Sequence, residues 1–247
     1  MSLPNDRHHE QWENLGSHDP YWAVLSDPKM KGGKWDKVDF FESGRCEIEQ
    51  VMKNLTHISV IPVFGTALDF GCGVGRLSRA LSQHFNRVVG IDISKSMLEE
   101  ARAQHSDFPN IEFLHNVGEN LGSISSNTID LVYSNIVLQH MPSERQLQFI
   151  CEFCRVLRPG GVAIFQTPSQ HDFGVLTGWV HFLVGNRLLN IVRSAIYGKH
   201  GIMEIHTLPK ATVLATFDAL GMSIADIERY DSSGKGFVSY RYYAVKA

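Results

Sequence analysis

Three glycines alternate with other residues in Gly71-Cys72-Gly73-Val74-Gly75, and Asp69 stands two residues before the first of them. The apolar run before these glycines predicts a buried strand, and the pattern that begins at Arg76 predicts a helix. Glycine at such a turn permits positive φ and lets a ligand approach the backbone closely. A helix that begins there directs unpaired N–H groups toward the ligand. The stretch therefore predicts a site for a nucleotide-like cofactor.

The spacing of the glycines argues against a dinucleotide as that cofactor. Dinucleotide-binding folds use G-x-G-x-x-G, in which the third glycine lets the helix pack closely on the strand. Arg76 occupies that third position here, and the glycines instead follow the pattern G-x-G-x-G. A nicotinamide-dependent dehydrogenase is therefore disfavoured.

The elements around the turn alternate between strand and helix from Thr66 onward. A helix at Ser43–Leu55, with Ser43 as its N-cap, is predicted to precede them. Such βαβα alternation implies a parallel, doubly wound sheet with right-handed crossovers. The predicted strands are Thr66–Phe70, Arg87–Ile91, Ile111–His115, Ile129–Ser134, Val162–Gln166, Met222–Arg229 and Phe237–Val245. The predicted helices are Arg76–Phe85, Ser94–Gln104, Glu144–Leu157 and Lys210–Leu220.

Composition and charge exclude several classes of protein. The 247 residues are 43% hydrophobic and 20% charged, which is typical of a globular protein. The formal net charge of -3 comes with no basic run, so a nucleic-acid partner is not expected. The four cysteines form no disulfide framework, and no secretory signal opens the chain, so we expect a cytoplasmic protein. The longest apolar region is too short to span a bilayer, which takes ~20 residues.

Cys151 and Cys154 form the one C-x-x-C pair of the sequence. A redox pair of this kind sits at a helix N-terminus, where the thiolate is stabilised. Here the pair falls late in a predicted helix, in register with apolar residues, and two further metal ligands are not evident. We therefore predict buried core and no metal site.

Two segments fall outside the alternating pattern. Residues 1–42 carry aromatic side chains with little periodicity, and they either pack on the main domain, 43–247, or form a flap over a substrate pocket. Residues 167–206 interrupt the order after the fifth strand with an apolar, partly helical stretch. This insertion has three interpretations, namely a lid over the substrate, a dimer contact or plain packing. Both a monomer and a homodimer are compatible with the sequence.

Four motifs, in order along the chain, resemble those of the class I S-adenosylmethionine-dependent methyltransferases. They are Asp69-x-Gly71-x-Gly73-x-Gly75, the acid Asp92 that closes Val88–Ile91, the strand Ile129–Ser134, and the turn Leu157–Gly161. The resemblance covers roughly Ser43 to the C-terminus. It implies S-adenosylmethionine as cofactor and an α/β fold with a doubly wound, mostly parallel sheet of seven strands whose last strand is antiparallel. An N-terminal helical extension and an inserted helical cap after the fifth strand would complete it.

The resemblance also implies which residues hold the ribose and methionine parts of the cofactor. Asp92 would accept hydrogen bonds from the two ribose hydroxyls. Asp69 and the glycine turn, Gly71 to Gly75, would meet the methionine ammonium group, with Asp69 acting through water or by holding the loop. Ile93 would cover the edge of the adenine, and Met97 would line the same pocket or belong to the core.

The adenine amino group meets, in the family, a short polar stretch after the third strand. Many members have an aspartate where this chain has Val117. Glu119 or Asn116 would take that role instead, or the backbone of Val117 and Gly118 would suffice. Asn135, after the fourth strand, corresponds to a position that often contacts the methionine moiety.

Methyl transfer from a sulfonium needs mainly alignment of the acceptor and exclusion of water. A base is needed only where the acceptor must lose a proton. His140 follows the fourth strand and is a candidate base, against the alternative of a loop histidine bonded to the backbone. His171, His181 and His206 are further candidates of this kind.

A small-molecule acceptor is favoured over nucleic acid because neither an Asn/Asp-Pro-Pro-Tyr/Phe stretch nor a Pro-Cys nucleophile occurs. The sequence thus predicts a methyltransferase that acts on a small molecule of unknown identity. The alternative is a protein that binds the cofactor without catalysis and acts as a partner or sensor.

Overall fold

A computed structural model of the protein describes residues 4–184 and 203–247. Strands and helices alternate from Thr66 onward, as the sequence predicts. The helices are α1 Pro4–His18, α2 Pro20–Val24, α3 Lys37–His57, α4 Arg76–Leu81, α5 Lys95–Gln104, α6 Ser143–Val156, α7 at 176–184 and α8 Lys210–Ala219. The strands are β1 Thr66–Phe70, β2 Arg87–Asp92, β3 Ile111–His115, β4 Ile129–Ser134, β5 Leu157–His171, β6 Met222–Arg229 and β7 Phe237–Lys246.

The strands form a seven-stranded sheet in the order β3-β2-β1-β4-β5-β7-β6. β1 pairs with β2 in parallel, with Leu68 opposite Val89, and the pairs β2–β3 and β4–β5 are parallel as well. β7 runs antiparallel to both β5 and β6. The predicted α/β fold with an antiparallel last strand is therefore confirmed. In open sheets of this type, ligands bind beyond the carboxyl ends of the parallel strands.

The chain divides into two compact units, Met1–Val117 and Gly118–Ala247. In the first unit, α1 packs on α5 and α3 packs on α4. The second unit has an aromatic cluster in which the ring centroid of Phe165 lies 6.0 Å from that of Phe153 and 5.4 Å from that of Tyr242. Burial of such apolar surface supplies most of the driving force for folding.

The long helix α3 begins earlier than the sequence predicts. Its N-cap is Asp36, whose Oδ1 accepts hydrogen bonds from the N–H groups of Val38 at 2.8 Å and Asp39 at 3.1 Å. The predicted N-cap, Ser43, lies inside the helix and donates its hydroxyl to the carbonyl of Phe40 at 2.6 Å. The prediction of Ser43 as the cap is wrong because serine bonds equally well to a carbonyl of the preceding turn.

Residues 4–40 are largely helical despite their weak periodicity. Tyr21, Phe40 and Phe41 are buried, and the ring centroid of Phe40 lies 4.9 Å from Tyr21 and 5.4 Å from Phe41. These aromatic side chains therefore belong to the core of the first unit. The role of the segment as a flap stays a prediction.

The fifth strand is longer than predicted at both ends. β5 runs from Leu157 to His171, so it includes the Pro159–Gly161 turn and the first five residues of the predicted insertion. The strand extends because residues up to His171 pair with β7, whose Phe237 lies opposite His171. Helical residues follow at 176–184. Residues 185–202 of the insertion lie outside the described part of the chain.

Two smaller expectations concern the cysteines and the membrane. Cys154 is buried as predicted, whereas Cys151 is exposed, so the expectation that both are core is half wrong. In the described ranges, 4–184 and 203–247, every helix is too short or too polar to cross a bilayer.

Gly75→Ala is expected to destabilise the protein more than Gly160→Ala. The two glycines have nearly equal φ angles, 80° and 79°, so the strain of a Cβ, about 1–2 kcal/mol, is common to both. A Cβ at Gly75 would lie 2.8 Å from Cε1 of His105, whereas no described atom lies within 4 Å of one at Gly160. Overpacking adds roughly 1–3 kcal/mol at Gly75. Urea unfolding measures both variants, and equal losses would contradict the prediction.

Candidate functional site

The glycine turn joins β1 to α4 and is fixed to the neighbouring strand. Gly71, Gly73 and Gly75 have φ angles of 75°, 53° and 80°, which L side chains rarely adopt. The N–H groups of Gly71 and Cys72 both donate to the carbonyl of Ile91, at 2.8 and 3.0 Å. The turn is therefore held at the carboxyl end of β2, one residue before Asp92.

Asp92 connects this turn to the start of α5. Its Oδ2 accepts a hydrogen bond from the N–H of Gly73 at 2.7 Å, and its Oδ1 accepts one from the N–H of Ser94 at 2.9 Å. The residue is 9% exposed. Burial raises the pKa of Asp92, against the two backbone hydrogen bonds, which lower it. Asp92 is therefore a buried carboxylate with acceptor positions left over, beside a turn in which three of the five residues are glycines.

Asp69 lies behind the turn and bonds to α4. Its Oδ2 accepts a hydrogen bond from the hydroxyl of Ser78 at 2.6 Å, and the residue is 1% exposed. Burial raises the pKa of Asp69 to about 7, although the Ser78 hydroxyl and the Arg76 guanidinium lower it. Of the two functions that the sequence left open for Asp69, holding the loop agrees with this contact.

Asp69→Asn is expected to gain stability relative to the wild type as the pH rises from 5 to 8. The pKa of Asp69 is raised in the folded state, so its contribution is fully present below about pH 4 and is lost as the pH passes through 7. Asparagine does not titrate, so the difference in unfolding free energy should shift by about 2–3 kcal/mol over this interval. Urea unfolding of both proteins at the two pH values measures it. A difference that does not change with pH would contradict the prediction.

The N-terminal helices lie against the same turn. A Cβ at Gly73 would lie 2.5 Å from Cγ2 of Val24, the last residue of α2, and 3.5 Å from Sδ of Met97. Glu13 of α1 accepts hydrogen bonds from the hydroxyl of Ser94 at 2.9 Å and from the N–H of Ser96 at 3.2 Å. Glu13 and Val24 were not predicted, because a single acid and a single valine in a weakly periodic segment carry no local signal.

The other predicted residues of the first unit lie close to Asp92 in the chain. Ile93 is partly exposed, and its carbonyl lies 2.9 Å from Nε2 of His115. Met97 is 2% exposed, in the first turns of α5. Val117, which stands where many family members have an aspartate, is 47% exposed.

The second unit contains the remaining predicted residues. Gly118 is exposed, and Glu119 forms an ion pair with Arg145 of α6. Asn135 follows β4 and is 8% exposed. The next residue, Ile136, has a φ of 61°, which is unusual for a β-branched side chain, and its N–H donates to Oε1 of Gln166 at 3.2 Å. Strained backbone of this kind is concentrated at functional sites.

His140 lies in a 3-10 turn, Leu138–His140, and is 8% exposed. Its Nδ1 lies 2.7 Å from the carbonyl oxygen of Glu204 and therefore carries the proton that it donates there. Its Nε2 lies 3.2 Å from Nε2 of Gln139, whose amide donates to it. His140 thus links the turn after β4 to the segment before α8. A function as a base stays a prediction, and Nε2 is the nitrogen that would take the proton.

Comparison with known proteins finds a family model that matches the middle of the chain. Residues 68–165, which include the glycine turn, Asp92 and Asn135, match the model of a methyltransferase domain. The matched segment supports the resemblance to the class I S-adenosylmethionine-dependent methyltransferases, and it covers less than half of the chain. The matched segment runs from β1 into β5 and includes the helices between these strands.

Curated relatives of the methyltransferase domain act on different compounds, according to their names. Trans-aconitate 2-methyltransferase of Deinococcus radiodurans is 37% identical over 111 residues, which are 44% of this chain and 40% of that protein. Demethylmenaquinone methyltransferase of Staphylococcus saprophyticus is 31% identical over 144 residues, 56% of this chain and 59% of that protein. The matched segments span about half or less of the length of most such relatives.

One solved structure has the same fold over nearly the whole length of this chain. Magnesium protoporphyrin IX methyltransferase from Synechocystis, crystallised with bound S-adenosylhomocysteine, superposes with a TM-score of 0.66 at 20% identity. The superposition covers 98% of this chain and 99% of that one. At this identity the likeness shows the fold, which here includes the N-terminal helices and the last two strands.

Proposed function

We propose that this protein transfers a methyl group from S-adenosylmethionine to a small-molecule acceptor. The observation that carries the proposal is the pairing of Asp92 with the glycine turn, in which Oδ2 accepts the N–H of Gly73 at 2.7 Å. This pairing puts a buried carboxylate beside backbone that a cofactor can approach. The family match over 68–165 supports the same activity.

The chemistry of the donor set fits the cofactor. Each carboxylate oxygen has about two acceptor positions. The backbone N–H groups of Gly73 and Ser94 use one on each oxygen of Asp92, so the two ribose hydroxyls can donate to the others. Asp69 bonds to Ser78 of α4, and of the remaining predicted residues Ile93, Met97 and Val117 to Glu119 would hold the adenine. Asn135, which precedes the strained Ile136, would contact the methionine part.

The protein's own contribution is positioning. When bound, the cofactor supplies a methyl group already activated on a sulfonium sulfur. The residues of the chain then hold the acceptor in line and exclude water, which lowers the barrier to such displacements. His140 takes a proton from the acceptor where the acceptor must lose one. The relatives do not identify the acceptor, because they are named for three different compounds, trans-aconitate, demethylmenaquinone and malonyl-[acyl-carrier protein].

The proposed methyltransferase activity also implies a domain organisation for the chain. Residues 1–42 form an extension, 43–247 form the methyltransferase domain, and 167–206 form an inserted cap over the acceptor. A reducing, cytoplasmic setting is supported by the cysteines, all four of which are free thiols. The active species is a monomer or a homodimer.

Calorimetric titration of the full chain with S-adenosylhomocysteine tests the proposal. We expect micromolar binding, which corresponds to about −8 kcal/mol, and no binding of NADH, the control ligand. No binding of S-adenosylhomocysteine would overturn the proposed function. A tritiated-methyl assay over a panel of acceptors then separates the enzyme from a protein that only binds the cofactor, because the latter would bind without transfer.

A further inference from the structure

An open cleft of about 310 Å³ lies within the first unit, where the beginning of α3 meets α4. Small ligands bind in clefts of about 300–1,000 Å³. The two walls are fixed relative to each other, because Arg76 of α4 pairs with Glu47 of α3 at 2.7 Å. None of the residues that line the cleft is among those assigned above to the cofactor. We call it the arginine cleft, after Arg79 in its lining.

Two aromatic rings hold the guanidinium of Arg79 in place. Its Cζ lies over the rings of Phe41 and Phe108, 4.9 Å from each centroid. The face of an aromatic ring attracts a guanidinium electrostatically. Phe41 also lines the cleft, so the contact with its ring keeps the charged end of Arg79 at the wall of the cleft.

The N–H groups of Arg79 are available to a ligand. Among the described residues, no oxygen accepts a hydrogen bond from its guanidinium, and no carboxylate pairs with it. Arg79 is partly exposed, and its nitrogens reach solvent instead of being buried without a partner. A guanidinium presents its donors in a planar fork that fits the two oxygens of a carboxylate. The cleft therefore offers a fixed fork of donors to an anion.

The other charged groups of the cleft decide how much negative charge it accepts. Nε of Arg45 donates to Oε2 of Glu42 at 2.8 Å, and Nζ of Lys37 lies 3.2 Å from Oε1 of Glu100. Within the described lining, Arg79 is therefore the cation without a carboxylate beside it. A phosphate dianion would also meet the carboxylate of Glu42, which lines the cleft. The balance of charge favours a ligand with a single negative charge.

Apolar side chains provide a surface for the rest of the ligand. Val38 is 76% exposed, and Phe41 and Ala80 line the cleft from α3 and α4. An apolar group that covers these side chains removes their surface from water, which favours binding. Because a cavity of about 150 Å³ holds benzene, the cleft has room for about six carbons beside a carboxylate.

We propose that the arginine cleft binds a small monocarboxylate whose apolar part has about six carbons. The carboxylate lies on the guanidinium of Arg79, and the apolar part covers Val38, Phe41 and Ala80. This inference goes beyond the proposed function, because it assigns a second ligand site to the chain. It does not require the cofactor, so either proposal can fail while the other stands.

Binding of small probes to the full chain, without added cofactor, tests the inference. The probes are hexanoate, acetate, inorganic phosphate and 1-hexanol. Ligand-observed NMR measures their dissociation constants at low salt, because salt screens exposed charges. We expect hexanoate to bind at least tenfold more tightly than each of the others, which lack either the apolar part or the carboxylate. No binding of hexanoate, or equal binding of any other probe, would overturn the proposal.

Two variants locate the binding of hexanoate. Arg79→Met keeps an unbranched stem and removes the guanidinium, so hexanoate affinity should fall at least tenfold. Val38→Glu adds an acid in the first turn of α3, where a helix N-terminus favours negative charge. The added carboxylate should repel hexanoate and weaken its binding about fivefold. Since Val38 is exposed, this second variant decides the outcome if Arg79→Met does not fold.

Two matched controls make the same changes outside the cleft. Arg87→Met removes a cation whose side chain is 57% exposed, and Val63→Glu adds an acid at a position that is 68% exposed. Both should bind hexanoate as the wild type does. Wild-type affinity in Arg79→Met and Val38→Glu would overturn the site. Equal losses in the controls would overturn it as well, because they would show an effect of net charge alone.

Discussion

Asp92→Ala is expected to weaken the binding of S-adenosylhomocysteine at least 100-fold. The variant removes the carboxylate that we assign to the two ribose hydroxyls. A hydrogen bond to a charged group contributes about 1.5–3 kcal/mol, and a loss of roughly 3 kcal/mol corresponds to about 100-fold in affinity. Calorimetric titration of wild type and variant under the same conditions measures the effect.

The variant also removes an internal contact, so a control for stability is needed. In Asp92→Ala the buried N–H groups of Gly73 and Ser94 lose their acceptors, and we expect a lower melting temperature. Asp130→Ala is the matched control, because Asp130 is also a buried strand aspartate, bonded to Arg158 at 2.9 Å. It should lose stability and keep its affinity. Wild-type affinity in Asp92→Ala, or equal loss in Asp130→Ala, would refute the assigned role.

Arg76→Met is expected to destabilise the fold by about 3–5 kcal/mol, the cost of breaking a buried ion pair by removing one partner. The side chains of Arg76 and Glu47 are 4% and 13% exposed, and Nη2 lies 2.7 Å from Oε2. A second guanidinium nitrogen, Nη1, donates to the hydroxyl of Ser43 at 3.3 Å. Without Arg76, the carboxylate of Glu47 would lose this ion pair while it stays partly buried beside α4. Urea unfolding measures the loss.

A double variant and an exposed ion pair test whether the burial of the Arg76–Glu47 ion pair causes the loss of stability. Combining Arg76→Met with Glu47→Met removes both charges, so part of the lost stability should return. Arg87 and Glu112 form an exposed pair, with side chains 57% and 47% exposed, and Arg87→Met should cost less than about 1 kcal/mol. A loss of stability in Arg76→Met as small as that in Arg87→Met, or a double variant no more stable than Arg76→Met, would contradict the prediction.

In the structure, Arg76 has a role that its position in the glycine motif does not reveal. In the sequence, Arg76 only excludes a third glycine and with it a dinucleotide. In the structure, its side chain joins α4 to α3, and the space is so tight that a Cβ at Gly44 would lie 2.5 Å from the carbonyl oxygen of Arg76. The residue that separates this turn from the dinucleotide pattern therefore also fastens the helix that follows the turn.

The sequence by itself determined the order of strands and helices, the glycine turn and the acid at the end of β2. These features are encoded locally. The period of apolar residues distinguishes strand from helix, and glycine spacing permits the positive φ angles that the turn requires. Asp92 was identified because it directly follows a buried strand, and the structure places its carboxylate on the turn.

Only the tertiary structure decided which distant residues meet at these elements. Glu13 bonds to Ser94, 81 positions away, and Arg76 pairs with Glu47, 29 positions away. Such contacts leave no periodic trace in the chain, because they depend on how whole elements pack and not on the residues beside them. For the same reason the elevated pKa of Asp69 follows from burial against α4, which its neighbours in the sequence do not reveal.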